Sequence, residues 1–235
     1  MSTKVVLFDL DGTLLPLDQN EFMKLYFGGL AKRLAPCGYE AKSLIDAIWT
    51  GTAAMVRNDG SRMNEVVFWE TFKTIFGEHV EKDVPHFEAY YHEDFPQVKA
   101  ACGYTPLAQE TVEKVKRLGM RPVLATNPFF PRIATESRTR WAGLEPEDFE
   151  LITTYENTGF CKPNPAYYQD LVARLGVKPE ECLMVGNDVN EDMVAETLGM
   201  KVFLLTDCLL NKDGKDISAY PSGSFPELLK FLDTL

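Results

Sequence analysis

Two aspartates stand one residue apart in the run Phe8–Asp9–Leu10–Asp11–Gly12–Thr13. In extended backbone, residues i and i+2 share a face, so the carboxyl groups of Asp9 and Asp11 can converge on one point. Carboxylates held that close repel each other unless a cation sits between them or one keeps a proton. Such a pair can supply a nucleophile and an acid–base group, or it can hold a divalent metal ion. Its competing reading is a turn whose aspartates only cap loop amides. Three later patches also carry polar groups behind apolar or stiff segments: Ala125–Thr126–Asn127, Cys161–Lys162–Pro163–Asn164–Pro165, and Val185–Gly186–Asn187–Asp188–Val189–Asn190–Glu191–Asp192. Taken singly, Thr126 reads as a strand cap, Lys162 as a surface lysine, and the acidic run as a helix N-terminus favoured by the helix dipole.

What must position these residues is legible in the apolar pattern. Val5 to Leu10 reads as a buried strand ending at the turn of Gly12, and similar runs recur at Arg121–Thr126, Glu150–Thr153, Cys182–Val185 and Lys201–Leu205. Helical patterns separate them. Pro106–Leu118 stops at Gly119, Asn164–Leu175 has Pro165 in its first turn and Gly176 at its end, and Val189–Leu198 stops at Gly199. A last helix is expected over Pro226–Leu232, after a polar surface loop from Lys212 to Gly223. Strands alternating with helices imply an α/β fold, a Rossmann-like parallel sheet with helices on both faces. Ligands of such sheets bind at the carboxyl ends of the strands, where three of the polar patches fall, while the Lys162 patch opens a helix. The segment 17–97 breaks the alternation with helical stretches at Asn20–Leu34, Glu40–Arg57, Asn64–Phe76 and about Val84–Phe95. It reads as an α-helical domain inserted into a core formed by residues 1–16 and 98–235.

With the four patches in hand, the chain resembles the haloacid dehalogenase superfamily, and within it the phosphatase branch with a helical cap. The resemblance covers residues 4–15 and about 105–205, and its motifs occur in the family's order. It implies that Asp9 is a nucleophile forming an aspartyl-phosphate. Asp11 is then general acid and general base; dehalogenating members lack this second aspartate. Thr126 and the amide of Asn127 would bind the phosphoryl group, and Lys162 would neutralise the nucleophile and the phosphoryl oxygens. The family's acidic loop, GDxxxD or GDxxxxD, is altered here. Either Asn187 is inserted ahead of an Asp188–Asp192 pair, or Asn187 replaces the first aspartate and Asp192 is the second. A hard cation prefers a charged oxygen, which favours Asp188 as the direct ligand. Asp192 and Asn187 would then act around it. The implied cofactor is Mg²⁺, bound by Asp9, the Asp11 main-chain carbonyl and Asp188. The implied reaction is hydrolysis of a small phosphate monoester. A phosphomutase on a sugar phosphate, or a non-catalytic binding member of the same fold, are the alternatives.

Composition sets the outer bounds. At 235 residues, 45% hydrophobic and 25% charged, the chain suits one α/β domain with an insertion, or two small domains. A net charge of −11 with scattered Lys and Arg excludes a nucleic-acid or anionic-membrane surface as the expected partner. The small phosphorylated substrate that the resemblance implies stays compatible with it, because a bound divalent cation and one local lysine can reverse the field inside a cleft. Five cysteines without a CxxC pair read as reduced thiols. With no apolar stretch long enough to span a bilayer and no cleavable leader pattern, the expectation is a cytoplasmic monomer or homodimer. His79, His86 and His92 form no HxxH or HExxH pair and are expected to be surface or core residues, and Cys161 lacks a base to make it a nucleophile. From the family's geometry, Asn20, Met23 and Lys24 are candidates to line a substrate pocket.

Overall fold

The computed structural model describes residues 2–235. Five parallel strands form one sheet: β1 (Val5–Phe8), β2 (Arg121–Leu124), β3 (Cys182–Gly186), β4 (Lys201–Leu205) and β5 (Ser222–Gly223), in the spatial order β2-β1-β3-β4-β5. Strand β1 lies inside the sheet, with Phe8 paired to Leu124 on one side and Val185 on the other. All four of its side chains are buried, and they alternate between two cores. Val6 and Phe8 pack with Val112, Val115 and Leu228 on one face. Val5 and Leu7 pack with Tyr167, Tyr168 and Leu171 on the other. A strand covered on both faces needs no polar positions, which is why β1 reads as an unbroken apolar run.

The covering helices are α5 (Pro106–Arg117) and α8 (Phe225–Leu232) on the first face and α7 (Pro165–Leu175) on the second. Their ends follow local chemistry. Thr105 caps α5 and Asn164 caps α7 through side-chain oxygens, each followed by a proline in the first turn, where its missing N–H costs nothing. Between β1 and α5 lie α1 (Gln19–Leu34), α2 (Ala41–Val56), α3 (Asn64–Phe76) and α4 (Val80–Ala89), then a π-helical turn over Tyr90–Asp94 and a 3₁₀ segment over Phe95–Ala101. The chain leaves and re-enters the core side by side, the Asp18 amide donating to the Ala101 carbonyl and the Gly103 amide to that of Pro16. Aromatic rings fill this helical insert, and Phe22, Tyr26, Phe72, Phe87, Tyr90 and Phe95 belong to the same apolar cluster as Val6 and Phe8.

Several elements depart from the sequence expectation. Glu150–Thr153 makes only one parallel bridge, Ile152 beside Leu124, because the Asn157 side chain bonds the Thr154 amide and the Ile152 carbonyl and turns the chain off the sheet edge. Val189–Leu198 is a loop followed by a 3₁₀ helix over Met193–Leu198. The expected Lys212–Gly223 loop ends in β5. One helix went unanticipated, α6 (Arg132–Trp141), because its buried face is partly Thr135, Arg138 and Thr139 and so lacks an apolar stripe. All five cysteines are free thiols. Among the described residues no helix is long and apolar enough to cross a membrane.

Candidate active site

The site begins one residue beyond β1. The amide of Asp9 still donates to the Val185 carbonyl and the Phe8 carbonyl accepts from Ala125, so Asp9 is anchored between the ends of β2 and β3. Its carboxyl group is held from two sides. Lys162 Nζ donates to Asp9 Oδ1 at 3.0 Å, and Thr13 Oγ1 lies 3.2 Å from Asp9 Oδ2. The same ammonium reaches Asp192 Oδ1 at 2.7 Å, and Asp192 Oδ2 accepts from the Asp188 amide at 3.0 Å. Lys162 and Asp192 are each only 1% exposed. Burial alone would lower the lysine's pKa, but Asp192 and Asp9 together raise it well above its usual value, so the ammonium keeps its charge. One cation between two carboxylates leaves negative charge uncompensated. Burial, reinforced by Asp9 and opposed by Lys162, pushes the Asp192 carboxyl up to about 7.

Two glycines make this approach possible. Gly12 adopts φ +84°, and a Cβ there would lie 2.3 Å from Asn187 Nδ2. A Cβ on Gly186 would lie 2.1 Å from the Asp192 carboxylate.

Asn187 is placed beside Asp9, with its Oδ1 3.0 Å from the same Thr13 hydroxyl. Its Nδ2 donates to the Cys208 carbonyl at 2.7 Å. A carbonyl can only accept, so position 187 requires a donor and an aspartate would oppose oxygen to oxygen. Asn187→Asp is therefore expected to cost about 1–3 kcal/mol in the metal-free protein. Urea unfolding measures this, and a variant as stable as the parent would contradict the locking role of the amide. Asp188 points its Oδ1 at the amides of Asn190 and Glu191, capping its own turn. Among the described residues it makes no hydrogen bond to Asp9 or Asn187.

Asp11 follows a different path from Asp9. Its Oδ2 accepts from Nη1 of Arg138, a residue of α6 that is 1% exposed. The guanidinium also donates to the Ala134 carbonyl and Thr135 Oγ1, and it stacks 4.4 Å from the centre of the Phe130 ring. Asp11 Oδ1 is buried without a partner. Burial raises the Asp11 pKa, Arg138 pulls it down, and Asp9 adds to the rise. Arg138 thus opposes protonation of a group that burial favours neutral. Removing it in Arg138→Met should slow kcat/KM by about 10²-fold by freeing the carboxyl group. The alkaline limb of the pH–rate profile should move upward, because an influence that lowers the Asp11 pKa is gone. An unmoved limb would show that Arg138 does not act through Asp11.

The other residues singled out from sequence separate into near and far. Thr126 is buried at the end of β2, its carbonyl accepting from Thr153 and Tyr167. Asn127 does more than offer an amide. Its side chain accepts from the Lys162 amide at 3.2 Å and donates to the Lys162 carbonyl and to Glu191 Oε2, clamping the lysine loop to β2. Met23 lines the cavity over the site, whereas Lys24 pairs with Glu21 at the surface. His86 lies with Cys37 and Asp83, their ligating atoms within 4.8 Å of one another, in the helical insert and apart from the aspartates. Arg138 and Thr13 were not foreseen. Thr13 belongs to a quoted motif without a role, and nothing in the local sequence marks Arg138.

A divalent cation fits this donor set. Asp9, Asp11, Asp188, Glu191 and Asp192 surround the strand ends with two buried cations, Lys162 and Arg138, and Asp11 Oδ1 is buried without a hydrogen-bond partner. Among the described residues, however, no three of these carboxylates bring oxygens within 4.8 Å of one another. All available donors are hard oxygens, the chemistry of Mg²⁺ rather than of a thiophilic metal.

Comparison with known proteins places this geometry among relatives. A family model described as haloacid dehalogenase-like hydrolase matches residues 3–195. Pyrophosphatase PpaX of Halalkalibacterium halodurans is 26% identical over 214 residues, covering 91% of this chain and 88% of the relative. Among solved structures, a 2-haloacid dehalogenase from Pseudomonas syringae pv. Tomato DC3000 superposes with a TM-score of 0.64 at 20% identity, covering 99% of each chain. CbbY from Rhodobacter sphaeroides in complex with phosphate superposes with a TM-score of 0.58, also at 20% identity, covering 99% of this chain and 100% of that one. At such identities the structural likeness speaks for the fold.

Proposed function

The chain belongs to the haloacid dehalogenase-like hydrolase family, and on that premise we propose that it is a magnesium-dependent phosphohydrolase working through a phosphoryl group carried on Asp9. The observation that carries this reading is the second carboxyl group, Asp11, beside an Asp9 whose carboxylate is oriented by Lys162 and Thr13. A nucleophile alone would suffice for displacing a halide from carbon. Hydrolysis of a phosphate ester also needs a proton for the leaving oxygen, and Asp11 is there to supply it.

In this mechanism an Asp9 oxygen bonds to phosphorus as the ester P–O bond breaks. Asp11, protonated at Oδ1, gives its proton to the departing alcohol. The Asp11 carboxylate then takes a proton from water as that water bonds to phosphorus, which releases phosphate and regenerates Asp9. Lys162 and the Thr126 hydroxyl carry the growing charge on the phosphoryl oxygens, with the Asn127 side chain keeping the Lys162 loop in place. Magnesium, held by the Asp9 carboxylate, the Asp11 main-chain carbonyl and a third oxygen from Asp188 or Asn187, would supply further positive charge at the phosphoryl group. The helices between residues 17 and 97 serve as a cap that reads the alcohol and excludes bulk water. Five free thiols support a reducing, cytosolic setting.

Phosphate release from a panel of monoesters, with Mg²⁺ and then with excess chelator, tests the reading. Turnover should depend on the metal, and rapid quenching should trap one added phosphoryl group on Asp9 that hydroxylamine removes. No turnover of any ester with Mg²⁺ would sink it.

A further inference from the structure

Above Asp11 the helical insert and the loop after β2 enclose a cavity of about 400 Å³. Its walls are aromatic: Phe22, Tyr26, Trp69, Tyr91, Phe129 and Phe130 all contribute. Every lining residue supplied by positions 17–101 is uncharged, and the charged groups that line the space are Asp11, Glu191 and the exposed Lys212, all from the core. Arg138, a buried cation, is spent on Asp11 beneath the Phe130 ring.

Resting on the phosphohydrolase reading, we infer that the substrate is a phosphate monoester of a bulky, uncharged aromatic alcohol. Two properties of the cavity carry this. First, a carboxylate or second phosphate placed among these rings would lose its hydration and find only the exposed, solvent-screened Lys212 as counter-charge, an expensive transfer. Glu191 at the wall would repel it further. Second, the volume lies in the range of pockets that enclose whole organic ligands, far larger than a glycolate or a phosphate needs. Aromatic walls favour a flat partner through offset or edge-to-face contact. The polar handle is also specific. The hydroxyls of Tyr26 and Tyr91 lie 3.0 Å apart. One donates to the other, and the remaining O–H is free for a single acceptor on the alcohol.

The test compares kcat/KM with Mg²⁺ for 2-naphthylmethyl phosphate against glycerol phosphate, phosphoglycolate and pyrophosphate. A primary alcohol as leaving group keeps intrinsic reactivity close to that of glycerol phosphate. Burying one bicyclic ring system should favour the naphthylmethyl ester by about 10²- to 10³-fold. Met23→Lys, which introduces a cation into the half-buried wall, should narrow that preference at least about tenfold by helping the anionic substrates. In parallel, 2-naphthylmethylphosphonate should quench the fluorescence of Trp49 and Trp69, which both line the cavity. Equal or greater activity on pyrophosphate or phosphoglycolate overturns the inference and leaves the phosphatase reading standing. Quenching without turnover of any ester keeps the apolar ligand and overturns the phosphatase reading. Neither quenching nor preference ends the inference altogether.

Discussion

Asp9→Asn should lower phosphate release by about 10⁴- to 10⁶-fold, the scale on which removal of a covalent nucleophile acts. The neutral amide cannot form the acyl phosphate. Its shape fits the space, and both neighbours stay satisfied: the new amide oxygen accepts from Lys162, and the new N–H₂ faces the Thr13 hydroxyl, which can still donate to Asn187 Oδ1. The variant should therefore fold as well as the parent. It should even gain a little in the absence of metal, because one of two carboxylates crowding a single buried ammonium is gone and Asp9 no longer pushes the Asp192 pKa up. Activity and denaturant unfolding on the same sample separate the outcomes. A folded variant that keeps a tenth of its activity would remove Asp9 from the nucleophile's role.

The second large effect is on stability. Lys162→Met replaces a buried ammonium by an apolar chain of similar length and leaves Asp9 and Asp192 facing each other uncompensated. Breaking a buried ion pair in this way costs about 3–5 kcal/mol, a large part of the roughly 5–15 kcal/mol that holds a domain together. The pH dependence has a definite sign. In the folded protein burial pushes the Asp192 carboxyl up to about 7, above the roughly 3.9 of an unfolded chain. Between those values the folded state binds more protons, and stability falls as pH rises. Without Lys162 the folded pKa climbs further, so the deficit should be smallest near pH 5 and largest above pH 7. Mg²⁺ should restore part of the loss, since it returns positive charge to Asp9, one of the two carboxylates. Equilibrium unfolding at both pH values, with and without Mg²⁺, checks both statements. A deficit independent of pH and metal would mean that Lys162 is a packing residue.

These expectations draw on features of unequal visibility. The ends of β1, α5 and α7 come from local rules: an apolar run, a capping Thr105 or Asn164, a proline behind it and a glycine at the far end. Such rules act over a few neighbouring residues, and the sequence displays them directly. The pairing of Asp9 with Lys162 spans 153 positions, yet both residues carry local marks, an aspartate pair at a strand's end and a lysine between stiff prolines. The local sequence marks Asp192 as a residue acting around the metal or orienting its neighbours, and its contacts with Lys162 and the Asp188 amide come from the tertiary structure.

Composition and local pattern by themselves determined the strand–helix alternation, the helical insert and the polar patches at the strand ends, because each is written within about ten residues. Tertiary packing alone decided three things. It brought Arg138 to Asp11 across 127 positions, from a helix whose buried face is polar. It set the Cys208 carbonyl against Asn187, which makes an amide rather than an acid fit there. It left unfilled space among the aromatic side chains of the insert, above Asp11. Burial and counter-charge are properties of a volume, and no stretch of chain holds that volume alone.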